Sequence, residues 1–293
     1  MIEFPEKADQ IKRWSQIFFF GLARILSISI ILILLLILYF IVSRGISVIS
    51  WEFLSAAPKE SMTQGGIMPA LVGTLYLIFW SMLIAFPIGV MAGIYVNEYS
   101  QDGRIKRFIK MMTNNLSGIP SIVFGLFGMA LFVNYLNFGA SILAGSLTLA
   151  LLSLPLIIRT TEESLKSVDQ GFRNGSYALG ASKLYTIRKV VLPIAFPNII
   201  TGLILSIGRV SGETAPILFT CAAYFLPKLP SSVMEQCMAL PYHLYVIATS
   251  GTDVAKTRPM AYGTALVLII IVLIVNLFAN LLRNYFASKV KMK

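Results

Sequence analysis

Two residues of opposite charge, Arg209 and Glu213, interrupt an apolar stretch over residues 203–220, which reads LILSIGRVSGETAPILFT. In a helix, a spacing of four residues places both side chains on one face. A lone charge at the centre of a membrane span costs about 3 kcal/mol on insertion scales, so it requires a partner or a water-filled cavity. The chemistry open to such an arginine is anion binding, because its fork of N–H donors matches phosphate-type oxygens.

The sequence allows two interpretations of this pair. Gly208 and Gly212 form a pattern of small residues that is typical of close helix packing, so the pair could be a tolerated ion pair at a helix contact. Alternatively, Arg209 lies on an anion pathway, which we favour because Arg before Glu is the less stabilising order along a helix. Pro216 predicts a kink near the outer end of the same helix.

A polar segment over residues 159–196 carries more apolar side chains than a solvated linker needs. Thr161, followed by two glutamates, predicts the start of a helix, and Gly180 predicts a stop or a sharp turn. The apolar side chains are those of Phe172, Tyr177, Leu179, Leu184 and Tyr185. We interpret the segment as a short helix that docks into a groove on a cytoplasmic protein. The alternative is an amphipathic helix on the bilayer surface.

Several kinds of chemistry lack the residues that they need. The sequence contains no phosphate-cradling run of glycines followed by Lys and Ser or Thr, and no glycine-rich dinucleotide fingerprint. The single histidine, His243, has no second imidazole and no Cys-x-x-Cys to join it, so we expect a surface or loop-packing residue and no metal site. Cys221 and Cys237 lie in one loop, where a disulfide is possible but not favoured.

The composition determines which elements must position these residues. With 57% apolar and 13% charged residues and a mean hydropathy of +0.79, the 293-residue chain lacks the polar surface of a soluble globule. The net charge of +11 comes from basic residues beside apolar stretches, where membrane orientation explains them better than nucleic-acid binding does. We therefore expect an all-α membrane protein.

Six apolar runs are long enough to cross a bilayer core about 30 Å thick as helices. They cover residues 25–42, 68–96, 116–133, 140–158, 197–219 and 262–282. The large majority of the 24 Lys and Arg residues flank these runs on one side. The positive-inside rule therefore predicts that both termini are cytoplasmic.

This arrangement predicts a transmembrane domain over residues 25–282 between cytoplasmic tails over 1–24 and 283–293. The polar segment described above is then a cytoplasmic loop. The first run is longer than the apolar part of a secretory signal, so we expect a retained anchor. The external loop over residues 221–258 contains a candidate surface helix at 232–239, for docking or for mere connection.

Residues 174–193, NGSYALGASKLYTIRKVVLP, resemble the coupling motif of permeases in ATP-binding-cassette (ABC) importers. The matching positions are Gly180, Val190, Leu192 and Pro193. The opening Glu-Ala-Ala of that motif is replaced here by Asn174, Gly175 and Ser176. The resemblance implies that this loop, with Leu184 and Tyr185 on its apolar face, docks on an ATPase subunit without the acidic contact that is usual at the first position.

Further segments are similar to the PstA-type permeases of the bacterial phosphate-specific (Pst) ABC importers. They are GGIMPALVGTLYL (65–77), GIPSIVFGLFG (118–128), TTEESLKSV (160–168) and SGETAPILFT (211–220). The resemblance implies a type I ABC importer permease fold with six transmembrane helices in the inner membrane, which moves phosphate inward by alternating access. The family's intramembrane arginine falls on Arg209, and its Gly-Glu-Thr falls on Gly212, Glu213 and Thr214.

The same resemblance implies a set of partners. They are a second permease subunit of the PstC type, two cytoplasmic ATPase subunits and an extracytoplasmic phosphate-binding protein, besides membrane lipid. The chain itself would bind no cofactor and would not be an enzyme, because the ATPase subunits bind and hydrolyse ATP.

Other functions remain compatible with the residues themselves. An ABC importer of this kind could carry phosphonate, sulfate or molybdate, and competition of uptake would separate these cargoes. An autonomous secondary transporter would be expected to contain inverted repeats, and no convincing repeat is present. Co-purification of an ATPase subunit would exclude that alternative. An intramembrane enzyme has little support, because paired carboxylates and zinc ligands are lacking.

Overall fold

The computed structural model describes residues 6–101, 103–250 and 254–291, which form helices and one small hairpin. The helices are α1 (Glu6–Gly45), α2 (Trp51–Ser55), α3 (Met68–Ile94), α4 (Arg104–Ser117), α5 (Ser121–Gly128), α6 (Ile142–Lys166), α7 (Gln170–Ala178), α8 (Lys183–Thr186), α9 (Leu192–Ser211), α10 (Ala215–Thr220), α11 (Leu240–Thr249) and α12 (Val254–Lys291). π-Helical turns at Tyr95–Tyr99, Met129–Tyr135 and Ile187–Val191 continue α3, α5 and α8, and a 3₁₀ turn covers Glu60–Met62. The strands β1 (Pro58–Lys59) and β2 (Gln64–Gly65) pair antiparallel.

Five helical segments are long and apolar enough to cross a membrane: Ser15–Gly45, Met68–Tyr99, Ile142–Lys166, Lys183–Ser211 and Thr257–Ser288. A sixth crossing forms when Arg104–Ser117 and Ser121–Tyr135 count as one span bent by 105°. With this bent span, the predicted all-α membrane fold and its six spans are confirmed.

The bend corrects the prediction of one straight third span over residues 116–133. Gly118 caps the C-terminus of α4, and Pro120 directly precedes α5. A residue before proline avoids the helical conformation, so the helix cannot run through this point. Leu116 and Ser117 therefore belong to α4, before the bend, and not to α5, after it.

Helix α1 lies at the edge of the bundle. Its most apolar window has no residue buried inside the chain, so these side chains are available to lipid or to another subunit. The helix is attached where Gly45 approaches α12, because a Cβ added there would lie 2.7 Å from the backbone oxygen of Tyr262. The guanidinium of Arg44 lies 5.6 Å from the ring centroid of the same tyrosine, a cation–π contact.

Small residues bring the central helices α3, α6 and α9 close together. A Cβ added at Gly93 of α3 would lie 2.6 Å from Thr161 Cβ of α6. A Cβ added at Gly202 of α9 would lie 2.8 Å from Thr160 Cβ, which also belongs to α6. Real Cβ atoms do not approach neighbours this closely, so both glycines are needed for the observed packing.

Helix α6 extends beyond the predicted membrane boundary, as far as Lys166. The predicted helix start at Thr161 is therefore wrong, because Thr161 is fully buried inside α6. Glu162 does not occupy a first helical turn, and its carboxylate instead pairs with Lys166 at 2.6 Å and with Lys110 of α4 at 2.9 Å. The polar residues that suggested a cap mark the point where a continuous helix leaves its apolar surroundings.

The observed caps lie further along the same segment. Asp169 accepts a hydrogen bond from the Gly171 N–H at the start of α7, and Ser182 accepts one from the Tyr185 N–H at the start of α8. The π-helical turn after α8 then leads directly into α9, so Lys183–Ser211 is one helical segment. The helices on both sides thus extend into the predicted loop over residues 159–196.

The segment between α10 and α12 contains one short helix, but not at the predicted place. Residues 232–239 form turns and irregular structure, and α11 begins at Leu240. Pro241 favours this start, because a missing N–H costs nothing in the first helical turn. The Leu240 N–H donates to Thr74 Oγ1 of α3 at 2.8 Å in a buried position, which fixes α11 to the bundle.

Cys221 and Cys237 carry free thiols, so the disulfide that the sequence did not favour is not formed. Their backbones are neighbours, because the Cys237 N–H donates to the Cys221 carbonyl at 3.3 Å. A hydrogen bond with Cys237 and burial together raise the pKa of the Cys221 thiol well above its ordinary value. The Cys221 thiol is therefore kept in the protonated form.

Candidate functional site

Arg209 and Glu213 lie where α9 ends. The helix ends at Ser211 with Gly212 as its C-cap, so Glu213 follows the helix. The two side chains nevertheless meet, with Arg209 Nε donating to Glu213 Oε1 at 3.5 Å. Hydrogen bonds between two charged groups usually span about 2.7–2.9 Å, so this one is long. The contact predicted from the spacing is confirmed, and it is a loose one.

The two members of this ion pair differ in exposure. The Arg209 side chain is 38% exposed, against 15% for Glu213. Across the described part of the chain, Glu213 provides the only hydrogen-bond acceptor for Arg209. A guanidinium carries five N–H donors, so most of its donor capacity remains for a ligand.

Residues 212–214 separate α9 from α10. Pro216 lies in the first turn of α10, so it begins a new helix and does not kink the preceding one as predicted. Thr214 is the N-cap residue of α10, but its side chain makes no capping hydrogen bond. The backbone break therefore directly follows α9, and it contains Glu213 and the half-buried Thr214, whose hydroxyl is not engaged in capping.

The space beside Glu213 is small. The carboxylate lines a cavity of about 10 Å³ together with Thr74, Ser211 and several apolar residues. A cavity of this kind needs about 10–15 Å³ to hold a single water, so an anion of the size of phosphate does not fit there. A ligand of Arg209 must therefore approach from the exposed side of the guanidinium.

Gly208 and Gly212 do not mediate a tight helix contact within this chain. A Cβ added at Gly208 would lie 3.7 Å from Asn276 Nδ2 of α12, which is an ordinary contact distance, and one at Gly212 would meet only the carbonyl of Arg209. The close approach of α9 occurs at Gly202 instead. The predicted role of Gly208 and Gly212 in close helix packing stays a prediction, and it would apply to a contact with another chain.

Asn276 is a polar residue of α12 that the sequence analysis missed. Its side chain lies next to Gly208, one residue before Arg209, and its Oδ1 atom is buried with no hydrogen-bond donor. A buried acceptor without a donor costs about 1–3 kcal/mol, so such groups mark positions with a special role. A polar asparagine within the apolar run over residues 262–282 was the available signal.

The predicted docking segment presents its apolar side chains to the outside. All five residues chosen from the sequence are exposed: Phe172, Tyr177, Leu179, Leu184 and Tyr185. Leu179 is 90% exposed at the tip between α7 and α8. A leucine this exposed beside other large apolar residues indicates a contact surface for a partner.

Gly180 makes the sharp turn that its position predicted. Its φ of +81° lies in the left-handed region, which residues with a side chain rarely adopt. Next to the turn lies an open groove of about 750 Å³, lined in part by Gly175, Ser176 and Val190. Asn174 is exposed at the edge of this segment. Its side chain is an amide, whereas the coupling motif has the carboxylate of a glutamate at this position.

Other residues aligned with the coupling motif hold the segment together or lie at its surface. Ser176 Oγ lies 2.8 Å from Thr186 Oγ1, which links α7 to α8. Leu192 packs against the buried cluster that includes Leu165 and Val191, whereas Pro193 is exposed in the first turn of α9. The leucine thus fixes the segment to the bundle.

The sequence analysis missed the ion pair that holds this segment in place. Arg173 of α7 and Glu98, at the π-helical end of α3, approach to 2.8 Å. Both side chains are only 7% exposed. The residues lie 75 positions apart, and no local spacing rule could have paired them.

The structure offers no metal centre in the part of the chain that it describes, where no three His, Cys, Asp or Glu residues cluster. His243, predicted as a surface or loop-packing residue, is buried in α11, with both ring nitrogens lacking a hydrogen-bond partner. Burial lowers its pKa to about 4, so the imidazole is neutral at physiological pH.

Comparison with known proteins identifies the family of this chain. A family model described as "Binding-protein-dependent transport system inner membrane component" matches residues 85–292. The probable ABC transporter permease protein YqgI of Bacillus subtilis is 35% identical over 85% of this chain and 88% of its own length. The probable phosphate transport system permease protein PstA of Methanocaldococcus jannaschii is 34% identical over 92% of this chain and 94% of its own length.

A solved structure supports the fold. The bacterial ABC transporter involved in the import of alginate, crystallised with its periplasmic protein, superimposes with a TM-score of 0.66 at 14% identity. The match covers 95% of this chain and 97% of the other. The family match, the two relatives and the shared fold agree. This multi-pass membrane protein therefore belongs to the family of binding-protein-dependent transport system inner membrane components, the permease subunits of ABC transporters.

Proposed function

We propose that this chain is one of two transmembrane subunits of an ATP-driven importer that moves inorganic phosphate into the cytoplasm by alternating access. The observation that carries the proposal is the half-exposed, loosely paired Arg209 on a membrane helix, in a chain whose relatives include a phosphate transport permease. An arginine fork is suited to the tetrahedral oxygens of phosphate.

Arg209 acts as the anion-attracting group of the pathway, and Glu213 acts as its counter-ion while no anion is present. A contact of 3.5 Å is easily exchanged for the shorter hydrogen bonds that an oxyanion can accept. Thr214, whose hydroxyl is not engaged in capping, contributes a further donor. A second permease subunit, of the PstC type, covers the exposed side of Arg209 and completes the wall of the pathway.

The energy for transport comes from other subunits. This chain supplies no nucleotide-binding loop and holds no cofactor, and two cytoplasmic ATPase subunits bind and hydrolyse ATP. They dock on the exposed side chains around Leu179 and the groove beside Gly180. An extracytoplasmic phosphate-binding protein delivers the anion from the opposite side. This arrangement places both termini and the α7–α8 segment in the cytoplasm of the cell and the chain in its inner membrane.

Uptake of labelled phosphate tests the proposal in cells that lack this gene. Restoring the chain raises high-affinity uptake, and Arg209→Ala abolishes the increase because the anion loses its charged ligand. Arg209→Lys recovers only part of it, since an ammonium cannot form the bidentate contact. Arg159→Ala is the matched control, because Arg159 is 62% exposed on α6 and distant in sequence from the pair.

Two results would contradict the proposal. Restored cells without increased phosphate uptake would exclude phosphate as the cargo, and normal uptake with Arg209→Ala would remove this residue from the pathway. An excess of sulfate, molybdate or a phosphonate is added in parallel. Competition by one of these anions at equal concentration would transfer the assignment to that anion.

A further inference from the structure

Arg173 is the most highly connected polar side chain of the docking segment. Its Nη2 atom lies 2.8 Å from Glu98 Oε1 and donates to the Leu165 carbonyl at 2.8 Å. Its Nη1 atom donates to the Val168 carbonyl at 2.7 Å. All three distances are those of strong charge-assisted hydrogen bonds. The arginine is therefore held in a single geometry.

These partners lie at the ends of two different membrane helices. Glu98 lies in the π-helical turn that ends α3, whereas Leu165 and Val168 lie at and just beyond the end of α6. The carbonyls at the end of a helix lack their regular intrahelical partners, and from α7 Arg173 donates to one carbonyl in the last turn of α6 and to one just beyond it. One side chain thus joins the docking helix to the ends of two membrane helices.

Two neighbouring contacts strengthen this junction. Asn97 Nδ2 donates to Glu98 Oε1 at 2.8 Å and orients the carboxylate. On the other side of the Gly180 turn, Lys183 Nζ of α8 lies 5.0 Å from the ring centroid of Tyr99, a cation–π contact with the same end of α3. The exposed tip at Leu179 is therefore supported on both sides by one membrane helix.

We propose that Arg173 and Glu98 are positioning residues that make the docking segment, α3 and α6 move as one body, so that displacement by the ATPase subunits reaches the membrane pathway. The proposal rests on the function proposed above and adds the residues that transmit the motion. A flexible attachment would absorb the displacement within the loop. A buried arginine that is held by three fixed acceptors passes the displacement on to α3 and α6.

The chemistry of the junction requires an arginine. Its planar guanidinium serves the carboxylate and the two carbonyls at once, whereas a lysine ammonium in the same place is a point charge without this fork. Stability alone is a weak reason to bury such a pair, because apolar residues of similar volume often stabilise a protein as well or better. The pair instead specifies how α7 is oriented on α3 and α6.

The test uses the complete transporter in proteoliposomes, with phosphate uptake and ATP hydrolysis measured in the same vesicles. Glu98→Gln and Arg173→Lys retain much of the side-chain volume and remove either the carboxylate charge or the planar fork. We expect ATPase subunits to co-purify with both variants and to hydrolyse ATP, while phosphate moved per ATP falls about tenfold. The charge exchange Glu98→Arg with Arg173→Glu should not recover that ratio, because a carboxylate at position 173 cannot donate to the Leu165 and Val168 carbonyls.

A matched control comes from a second ion pair on α6. Arg159 and Glu163 lie 3.1 Å apart with both side chains 62% exposed, and within the described residues their charged groups bond only to each other. Glu163→Gln should leave phosphate moved per ATP unchanged, which separates the effect of the junction from that of losing a charge. Reduced amounts of assembled complex are corrected for by expressing both rates per ATPase subunit.

The outcomes separate this inference from the proposed function. An unmodified complex that hydrolyses ATP without moving phosphate would overturn the proposed function, and this inference with it. Normal transport by the unmodified complex, combined with an unchanged ratio in Glu98→Gln and Arg173→Lys, would overturn the inference alone. Uptake and ATP hydrolysis that fall in equal proportion would also overturn it, because the pair would then serve assembly and not coupling.

Discussion

Arg173 and Arg209 both pair with a glutamate, but the two ion pairs differ in distance and in exposure. Arg173 lies 2.8 Å from its carboxylate partner, and both side chains are 7% exposed. Arg209 lies 3.5 Å from Glu213, and its side chain is 38% exposed. The first arginine donates to two further carbonyls, whereas the second has a single acceptor within the described residues. The Arg173–Glu98 pair is therefore held in one geometry, whereas Arg209 can exchange its contact with Glu213 for a contact with a ligand.

Helix packing around the two arginines shows the same contrast. Near the junction of α3, α6 and α7, Gly93 approaches Thr161 so closely that an added Cβ would lie 2.6 Å from its Cβ atom. Next to Arg209, a Cβ at Gly208 would find its nearest neighbour at 3.7 Å. Tightly packed interfaces transmit strain, whereas open ones leave space for a ligand or a second subunit. The chain therefore combines a rigid end at the proposed docking segment with an open end beside Arg209.

The largest expected effect follows from removing each arginine in turn. Arg173→Ala should lower the free energy of unfolding by about 3–5 kcal/mol, because it leaves the Glu98 carboxylate buried without its partner. Arg209→Ala should change it by less than about 1 kcal/mol, since an accessible pair contributes little. Thermal unfolding of the purified chain in detergent, followed by tryptophan fluorescence, measures both.

A double replacement sharpens this comparison. Arg173→Met combined with Glu98→Leu removes both charges and keeps much of the volume, so most of the stability should return while coupling to ATP hydrolysis does not. The rigid-joint interpretation would fail if Arg173→Ala and Arg209→Ala destabilised the chain equally.

The local features of both ends could be predicted from the sequence. The contact of Arg209 with Glu213 follows from a spacing of four residues, and the turn at Gly180 follows from the residue type. The exposed surface around Leu179 follows from apolar side chains in a polar segment. Each of these features depends on neighbours within a few positions of the chain.

The long-range contacts of the rigid end could not be predicted in this way. Arg173 meets Glu98 across 75 residues, and only the packing of α3 against α6 brings them together. The end of α6 was misplaced for a related reason. Thr161 reads as a cap by composition, but tertiary packing against Gly93 keeps it inside the helix. The bend at Pro120 did have a local signal, which the apolar character of the flanking residues concealed.

A second prediction contrasts Arg173 with a buried group that has no partner. His243 has a pKa of about 4 in the folded chain because of burial, against an ordinary value of 6.5 when unfolded. Between these values the unfolded chain binds more protons, so this contribution to stability is complete above pH 6.5 and is lost as the pH falls towards 4. The loss amounts to about 3 kcal/mol.

Melting temperatures of the purified chain at several values between pH 7.5 and pH 4 measure this loss. His243→Phe is the matched variant, because it fills a similar volume without titrating, and it should show a smaller decrease. Carboxylates titrate over the same interval in both proteins, so the difference between the two curves reports on His243. Parallel curves would show that the imidazole is not the group responsible.

The smallest expected effect compares two glycines of α9. Gly202→Ala should destabilise the chain by about 1–3 kcal/mol, because the new methyl group would overlap Thr160, whose Cβ would lie 2.8 Å away. Gly208→Ala should be neutral or stabilise by up to about 1 kcal/mol, since alanine fits there and favours the helix. Unfolding of the purified chain in detergent distinguishes the two.

Two further results decide what these glycines do. Thr160→Ala in the Gly202→Ala background removes the hydroxyl and methyl groups of the obstructing side chain and should restore part of the stability, since the Cβ atom of residue 160 remains 2.8 Å from the new methyl group. If Gly208→Ala leaves the isolated chain unaffected but weakens its association with a second permease subunit, the glycine serves contact between subunits. If Gly208→Ala destabilises the isolated chain as much as Gly202→Ala does, α9 is packed evenly along its length, and the contrast between a rigid and an open end does not hold.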